Sequence, residues 1–177
     1  MRRNSKTTLE THAGADPNAD SRRIAIFVHF DPDGIVHDYV MAYLESLKTA
    51  GFKIWLMSNA PHLSSEAIAR VKTHVTWIHR RNNFGYDFGA YKDGILSVLE
   101  RENPDQLVIC NDSVYGPLRP LGPLLERATS SNGDVWGMTD SHEAYLSPWL
   151  RSSSELTRTI YNASSRRPAS ASSAAGA

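Results

Sequence analysis

NFGYDFGAYKDG, at residues 83–94, is the stretch of this 177-residue sequence that decides the fold. It follows a short apolar segment at residues 75–78 that is typical of a strand, and it leads into a helical pattern from about residue 88 to residue 100. A strand, a loop with glycines and a helix in this order are the first parts of a β-α-β unit. The stretch therefore predicts a sheet whose strands alternate with helices.

The same alternation continues on both sides of that stretch. Helical spacing of apolar residues predicts a helix between residues 36 and 47, a short one capped by Ser64, and another near residues 121–127. Apolar runs predict further strands at residues 24–28, 53–57, 106–110 and 134–138. The sequence thus predicts an α/β fold, a sandwich of helices around a mostly parallel sheet.

The two ends of the chain differ in composition from the middle. Residues 1–22 are polar and lack apolar periodicity, which predicts a disordered leader. Residues 151–177 are dominated by Ser, Ala and Arg, a composition that cannot bury enough apolar surface to fold, so a disordered tail is expected. The folded domain is predicted to comprise residues 23–150.

Composition excludes several classes of protein. Lys and Arg together number 19 and so do Asp and Glu, so no net field favours nucleic acid. The single cysteine, Cys110, excludes an intramolecular disulfide framework. The sequence has no signal-peptide pattern and no apolar run of the roughly 18 residues that a membrane span needs. We therefore expect a cytoplasmic protein, with peripheral membrane association left open.

Polar residues follow each of the first four predicted strands, at residues 29–33, 58–59, 80–87 and 111–116. Ligands of parallel sheets gather at the carboxyl ends of the strands. Among these loops, residues 80–89 combine two arginines, two glycines and a helix start, which is a reasonable cradle for an anion. The alternative is that Asp87 only caps the helix while its aromatic neighbours pack.

Asn111, Asp112 and Ser113 directly follow a buried strand. A carboxylate at this point is well placed to hold a hard divalent cation together with a diphosphate. The same three residues are also typical of a turn.

A phosphatase is a further alternative. FDPDG at residues 30–34 is similar to the nucleophile loop of haloacid dehalogenase-type phosphatases, in which Asp31 would attack phosphorus and Asp33 would act as acid and base. Lys72 or Lys92 would neutralise charge. The proline between the aspartates is atypical of that loop.

Five segments in order resemble the rhamnan synthesis F family, rhamnosyltransferases of bacterial cell-wall and lipopolysaccharide assembly. The segments are IAIFVHFDPDGIVHDYVMAYLESL, IWLMSNA, RNNFGYDFGAYKDGI, LVICNDSVYGPLRPL and DVWGMTDSHE, between residues 23 and 145. The resemblance implies a Rossmann-like GT-A fold. It also implies transfer of a sugar from a nucleoside diphosphate donor, dTDP-rhamnose by family, to a glycan or lipid-linked acceptor.

The resemblance also implies where the donor lies. Asp112 would contact the diphosphate and its Mg²⁺ or Mn²⁺, although only one aspartate stands in place of the usual D-x-D. The resemblance also implies that His29 to Asp31 lie near the base of the donor and that Asn83, Gly85, Tyr86 and Asp87 line the donor. By their positions in the loops and on the helix, Ser58, Lys92 and Ser113 are further donor-binding candidates. No catalytic base is identified.

After Tyr145 the sequence no longer resembles the acceptor half of the family. This change predicts a truncated chain, and it leaves an inactive fragment that only binds nucleotide or a partner as the second hypothesis.

Overall fold

A computed structural model of the protein describes residues 7–16, 18–130 and 134–137. The chain divides into two units, Met1–Glu126 and Arg127–Ala177, and the second is described only at residues 127–130 and 134–137. The strands are β1 Thr8–Ala13, β2 Arg23–His29, β3 Lys53–Ser58, β4 Trp77–Arg81 and β5 Gln106–Asn111. The helices are α1 Asp38–Thr49, α2 Ser65–Lys72, α3 Tyr86–Arg101 and α4 Leu121–Ser130.

The five strands form one sheet in the order β1-β4-β3-β2-β5. β2 to β5 are parallel to one another, and β1 pairs antiparallel with β4. In chain order, β2, β3 and β4 follow one another across the sheet in one direction. β5 then lies on the other side of β2. The direction of growth therefore reverses between β2 and β5. In open α/β sheets the crevice outside the carboxyl ends of the strands at such a reversal is where ligands bind.

Helices cover both faces of the sheet. Because side chains alternate along a strand, Ala25 and Phe27 face one way and Ile26 the other. The first face forms the main core with buried side chains of α1, α2 and the start of α4: Val40, Leu44, Leu47, Ala67, Val71 and Leu121. α3 lies on the second face, where Gly94 approaches so closely that an added Cβ would stand 2.7 Å from Cγ2 of Ile26. The mostly parallel α/β prediction is confirmed.

The observed bounds of the strands and helices agree closely with the predicted bounds for most of the chain. The predicted strands at residues 24–28, 53–57 and 106–110 are β2, β3 and β5, each with one or two additional residues. The predicted cap of α2 is confirmed, since the Ala67 N–H donates to Ser64 Oγ at 3.0 Å. The strand predicted at residues 75–78 begins two residues later, at Trp77, and extends to Arg81.

Two predictions are wrong. Thr8–Ala13 is a strand and not part of a disordered leader; its sequence is polar because it is a half-exposed edge strand held by pairing with β4. Residues 134–137 form no strand; Val135 and Trp136 are exposed. The two apolar residues are too short a run to specify a strand without a partner. Met138 and the predicted tail at residues 151–177 lie outside the described residues.

Candidate functional site

The four polar loops meet at one edge of the sheet, as the parallel order requires. In the register of the strands His29 lies beside Ser58, Ser58 beside Arg80, and Val28 beside Asn111. Side chains separated by up to about 80 residues in sequence are therefore neighbours at this edge. The prediction that polar groups gather here is confirmed, but the individual side chains divide into two groups, one available to a ligand and one engaged within the protein.

Asp112 lies at the crevice between β2 and β5. Its backbone N–H donates to the carbonyl of Val28 at 3.1 Å, and its carboxylate Oδ2 accepts from the backbone N–H of Phe30 at 2.9 Å. Asp112 is thus held to β2 by its backbone and to the loop after β2 by its carboxylate. Its other oxygen, Oδ1, receives no hydrogen bond from any other residue that the structure describes.

The environment of Asp112 disfavours its negative charge. Burial raises the pKa of its carboxyl group; the Phe30 N–H and His29 oppose this, and the charge of Asp87 adds to the rise. The net pKa lies above the ordinary value of 3.8. The Asp112 carboxylate is half-buried and is repelled by a second carboxylate. A cation bound there would stabilise its negative charge.

Asp87 lies in the first turn of α3, facing β5. The side-chain amide of Asn111 donates to its Oδ2 at 2.7 Å, so the end of β5 and the start of α3 are joined. The residue that caps α3 is Gly85, whose φ of 76° is left-handed. The interpretation of Asp87 as the cap is therefore wrong, and its carboxylate belongs to the crevice.

The described residues contain no group of three or more His, Cys, Asp or Glu side chains that could hold a metal ion. Asp112 and Asp87 are only two carboxylates. Two carboxylates could hold a cation only if water and phosphate oxygens supplied its remaining ligands, which is the usual coordination of Mg²⁺ in phosphate-transfer sites.

The two arginines before the glycine loop are not free cations. Arg81 is 1% exposed and donates to Asn59 Oδ1 at 2.6 Å, to Asp93 Oδ2 at 3.0 Å and to the Phe84 carbonyl at 2.9 Å. Arg80 donates to Glu10 at 2.5 Å and to the Pro61 carbonyl at 2.9 Å. Both guanidinium groups fix the loops around them, which corrects the interpretation of this loop as an arginine-lined anion cradle.

The glycines of the loop have structural reasons as well. An added Cβ on Gly89 would stand 2.2 Å from the Phe84 carbonyl oxygen, and Gly85 needs its positive φ to begin α3. Close packing and backbone conformation therefore account for both residues without a phosphate.

An open cleft of about 460 Å³ lies next to the crevice, over the ends of β2, β3 and β4. It shares Phe30 with the crevice, because the Phe30 N–H holds Asp112 while Phe30 also lines the cleft. Of the predicted donor-binding residues, Asn83 alone is among those that line it: Leu9, Phe30, Pro32, Asn59, Ala60, Pro61, Arg80, Arg81, Asn82 and Asn83. Sequence reasoning missed Leu9 entirely and did not assign Asn59 a role.

Two predicted donor-binding residues are buried and engaged. His29 is 1% exposed, and its ring nitrogens pair with Ser58 Oγ at 3.1 Å and with the Ile35 carbonyl at 3.0 Å. Ser58 is fully buried beneath it. Their position at the strand ends was predicted correctly, but their side chains hold the loop after β2 and offer no surface to a ligand.

Other predicted residues are exposed at this edge or point elsewhere. Gly85, Tyr86 and Ser113 are exposed, and their contact with a donor stays a prediction. Lys92 is exposed on α3, five residues after Asp87, so the two side chains project about 140° apart around the helix. The structure does not bring Lys92 to the carboxylates.

Asp31 organises the loop after β2. Its Oδ1 accepts from the backbone N–H groups of Asp33 and Ile35, both at 2.9 Å, and its Oδ2 lies 3.2 Å from His37 Nε2. Burial would raise the pKa of Asp31, but these hydrogen bonds outweigh it and the net pKa is lowered. Both oxygens are engaged within the loop, an arrangement that does not support Asp31 as the nucleophile of a phosphatase.

Comparison with known proteins identifies relatives. The family model described as Rhamnan synthesis protein F matches residues 54–162, more than half of the chain. The match continues past Tyr145, where the sequence analysis expected the resemblance to end. None of the helices that the structure describes is long and apolar enough to cross a membrane, and no solved structure matches the chain.

Two curated relatives also match. "Uncharacterized protein y4gN" of Sinorhizobium fredii (strain NBRC 101917 / NGR234) is 34% identical over 119 residues, which are 67% of this chain and 30% of that protein. "Virulence protein VirA" of Vibrio anguillarum (strain ATCC 68554 / 775) is 39% identical over 66 residues, 36% of this chain and 20% of that protein. The chain therefore spans less than a third of the length of these relatives.

Proposed function

The chain belongs to the Rhamnan synthesis protein F family, and from this premise we propose that its described domain is the donor-binding part of a glycosyltransferase. Its family is one of rhamnan, and hence polysaccharide, synthesis. The proposed donor is a nucleoside diphosphate sugar, dTDP-rhamnose, and the proposed acceptor is a glycan or a lipid-linked sugar. The proposed location is the cytoplasm, including the inner face of the membrane.

The strand order supports a Rossmann-like GT-A fold. The parallel strands run β4-β3-β2-β5, so that the first of them, β2, lies next to the last, β5. This reversal is the arrangement at which open α/β sheets bind nucleotides. The GT-A assignment goes beyond the α/β architecture itself and is part of the proposal.

The observation that carries the proposal is the pair Asp112 and Asp87 at that reversal. One oxygen of Asp112 is held by the Phe30 N–H and the other receives no hydrogen bond from any other described residue, while Asp87 is held by Asn111. Both carboxylates are therefore oriented before any ligand arrives. This pre-orientation supports the proposal that they contact a diphosphate and its cation.

In this proposal each residue has a separate role. Asp112 and Asp87 would hold Mg²⁺ or Mn²⁺, which when bound neutralises the charge that develops on the leaving diphosphate. Phe30 and Asn111 orient the two carboxylates through the hydrogen bonds already described. Asn83, Gly85, Tyr86 and Ser113 border the same edge and would contact the donor. His29, Ser58 and Lys92 are left out because the first two are buried and the third projects away from the carboxylates.

The proposal is tested by calorimetry with a panel of nucleoside diphosphate sugars in the presence of Mg²⁺. Asp112→Asn keeps an oxygen to accept from Phe30 but removes the charge, and at least a tenfold loss of affinity is expected, about 1.4 kcal/mol or more. Asp105→Asn is the matched control, since Asp105 is exposed, precedes β5 and pairs with Arg22 at the opposite edge of the sheet.

Equal binding by the wild type and Asp112→Asn would contradict the site. A chain that binds the donor but transfers no sugar to any acceptor would instead support the hypothesis of a nucleotide-binding fragment.

A further inference from the structure

The two edges of the sheet differ in how they are protected from pairing. β1 forms one edge, where the pairing register shifts between Thr8 and Glu10 and the Glu10 carboxylate pairs with Arg80. β5 forms the other edge of the described sheet, and its sequence QLVICN contains no charged residue and no proline. Natural edge strands are usually guarded by charges, prolines or irregularities in pairing. β1 therefore carries two such guards, and β5 carries none.

Three residues of β5 direct their backbone groups away from the sheet. The N–H of Asp112, directly after β5, donates to the Val28 carbonyl of β2. Because successive residues of a strand direct their backbone groups to alternate sides, Leu107, Ile109 and Asn111 direct theirs outward. No strand that the structure describes pairs with β5 on that side. The N–H and C=O groups of these three residues are thus available to another strand.

Ile109 also leaves an apolar side chain uncovered at this edge. It lies beside Ile26, which Gly94 of α3 approaches, whereas Val108 and Cys110 pack against the core on the other face. Ile109 therefore faces the α3 side of the sheet. Its side chain is 41% exposed, although it is an apolar residue in the middle of a strand.

Two apolar residues of α3 continue this uncovered surface. Phe88 and Leu99 are about three turns apart, so they lie on one side of the helix, and they are 57% and 46% exposed. Asp87 of α3 accepts from Asn111 of β5, while Asp93, about 140° around the helix from Phe88, pairs with an arginine of β4. Phe88 and Leu99 are therefore on the β5 side of α3.

The outward residues of β5 are complementary to a second copy of the same strand. A two-fold axis perpendicular to the sheet at Ile109 would place Ile109 opposite its own copy, and Leu107 opposite Asn111. The outward N–H and C=O groups of all three residues would then be hydrogen-bonded. Opposite residues of an antiparallel pair face the same side, so the two Ile109 side chains would cover each other.

We propose that the chain forms a two-fold dimer in which two β5 strands pair antiparallel about Ile109. The absence of charge in β5 favours its own copy as the partner, since a charged residue near the axis would face an identical charge. Each α3 would then extend Phe88 and Leu99 along the same face of the joined sheet. This inference does not rest on the proposed nucleotide-sugar function.

Sedimentation velocity of the full chain over a series of concentrations tests the dimer. Ile109→Lys places like charges opposite each other at the axis, and dimerisation should weaken at least about tenfold. Leu9→Lys is the matched control, because Leu9 is 47% exposed in the strand of the guarded edge. It should leave dimerisation unchanged. Circular dichroism verifies that both variants fold.

A cross-link tests the register of the pairing. In a Cys110→Ala background, Ile109→Cys would place two thiols at the axis on Cα atoms about 5.5 Å apart, a separation that a disulfide spans. Mild oxidation should therefore give a covalent dimer, which non-reducing electrophoresis measures. Leu9→Cys in the same background is the control and should give none.

Three results would overturn the inference: a wild type that is monomeric at every concentration, a dimer that Ile109→Lys leaves intact, or cross-linking at Ile109→Cys no greater than at Leu9→Cys. The first result would leave the β5 edge to a different strand, such as one from the further polypeptide of the longer relatives. None of the three bears on nucleotide-sugar binding, which calorimetry measures separately.

Discussion

Arg81 and Asp112 lie at the same edge of the sheet, but their surroundings differ in kind. Each guanidinium nitrogen of Arg81 has a hydrogen-bond partner, and Arg81 joins β4, the end of β3 and α3. Asp112 is held by one oxygen only, near the charge of Asp87, in an environment that raises its pKa. The comparison distinguishes polar groups that stabilise the fold through satisfied hydrogen bonds from the less satisfied carboxylate that we propose as a ligand contact.

The largest effect that tests this comparison is expected for Arg81→Ala. Asn59 Oδ1 would lose its donor, and Asp93 would lose its ion pair while keeping the hydrogen bond from the Thr7 hydroxyl. Breaking a buried ion pair from one side costs about 3–5 kcal/mol. Chemical denaturation measures the change in the free energy of unfolding. Arg119→Ala, at an exposed arginine, should change it by less than about 0.5 kcal/mol. Similar values for the two variants would show that Arg81 is not part of the framework.

The attachment of α3, which carries Asp87, provides a second test. Gly94→Ala would place a Cβ 2.7 Å from Ile26 and 3.2 Å from Met57 Cγ, and overpacking of this kind costs about 1–3 kcal/mol. Gly122→Ala in α4 is the matched control, since nothing lies within 4 Å of its added Cβ. A thermal unfolding transition that is lower for Gly94→Ala alone is expected. A neutral Gly94→Ala would mean that α3 is loosely attached.

Asp112→Asn should have the smallest effect on stability, and the effect should have the opposite sign. Because the folded-state pKa of Asp112 is raised above 3.8, the charged form destabilises the native state. That penalty is absent well below pH 3.8, grows as the pH rises through 3.8, and becomes constant above the folded-state pKa. Asp112→Asn should therefore be more stable than the wild type at pH 7, by less than either of the two changes above.

The same measurement at several pH values checks the sign. The stability difference between Asp112→Asn and wild type should shrink as the pH is lowered toward 3.8. A variant that is less stable than the wild type at pH 7 would place Asp112 in the framework together with Arg81.

The parallel strands were predictable because β2 and β3 are buried on both faces and are continuous apolar runs. β1 was not predictable, because its polar sequence is a strand only when paired with β4. The placement of Asp87 and Asp112 at the same edge of the sheet was predictable, because parallel strands have their carboxyl ends at one edge. The side-chain hydrogen bonds of His29, Ser58 and Arg81 could not be predicted from this rule. Most of their partners are distant in sequence, and the bonds depend on the direction in which each side chain points.

A position near the end of a strand therefore does not by itself identify a residue of a binding site. Asn59 and Ser58 are adjacent in sequence, yet Ser58 Oγ is paired with His29, whereas the amide nitrogen of Asn59 has no partner among the described residues. Hydrogen-bond satisfaction distinguishes the two residues, and it becomes visible only once the side chains are placed.

The coupling between a divalent cation and Asp112 tests the central claim most directly. The affinity for dTDP is measured in wild type and in Asp112→Asn, with and without Mg²⁺ or Mn²⁺. If Asp112 holds the cation that binds the diphosphate, the cation should raise the affinity of the wild type at least about tenfold and have no effect on the variant. An equal increase in both proteins, or none in the wild type, would contradict the account.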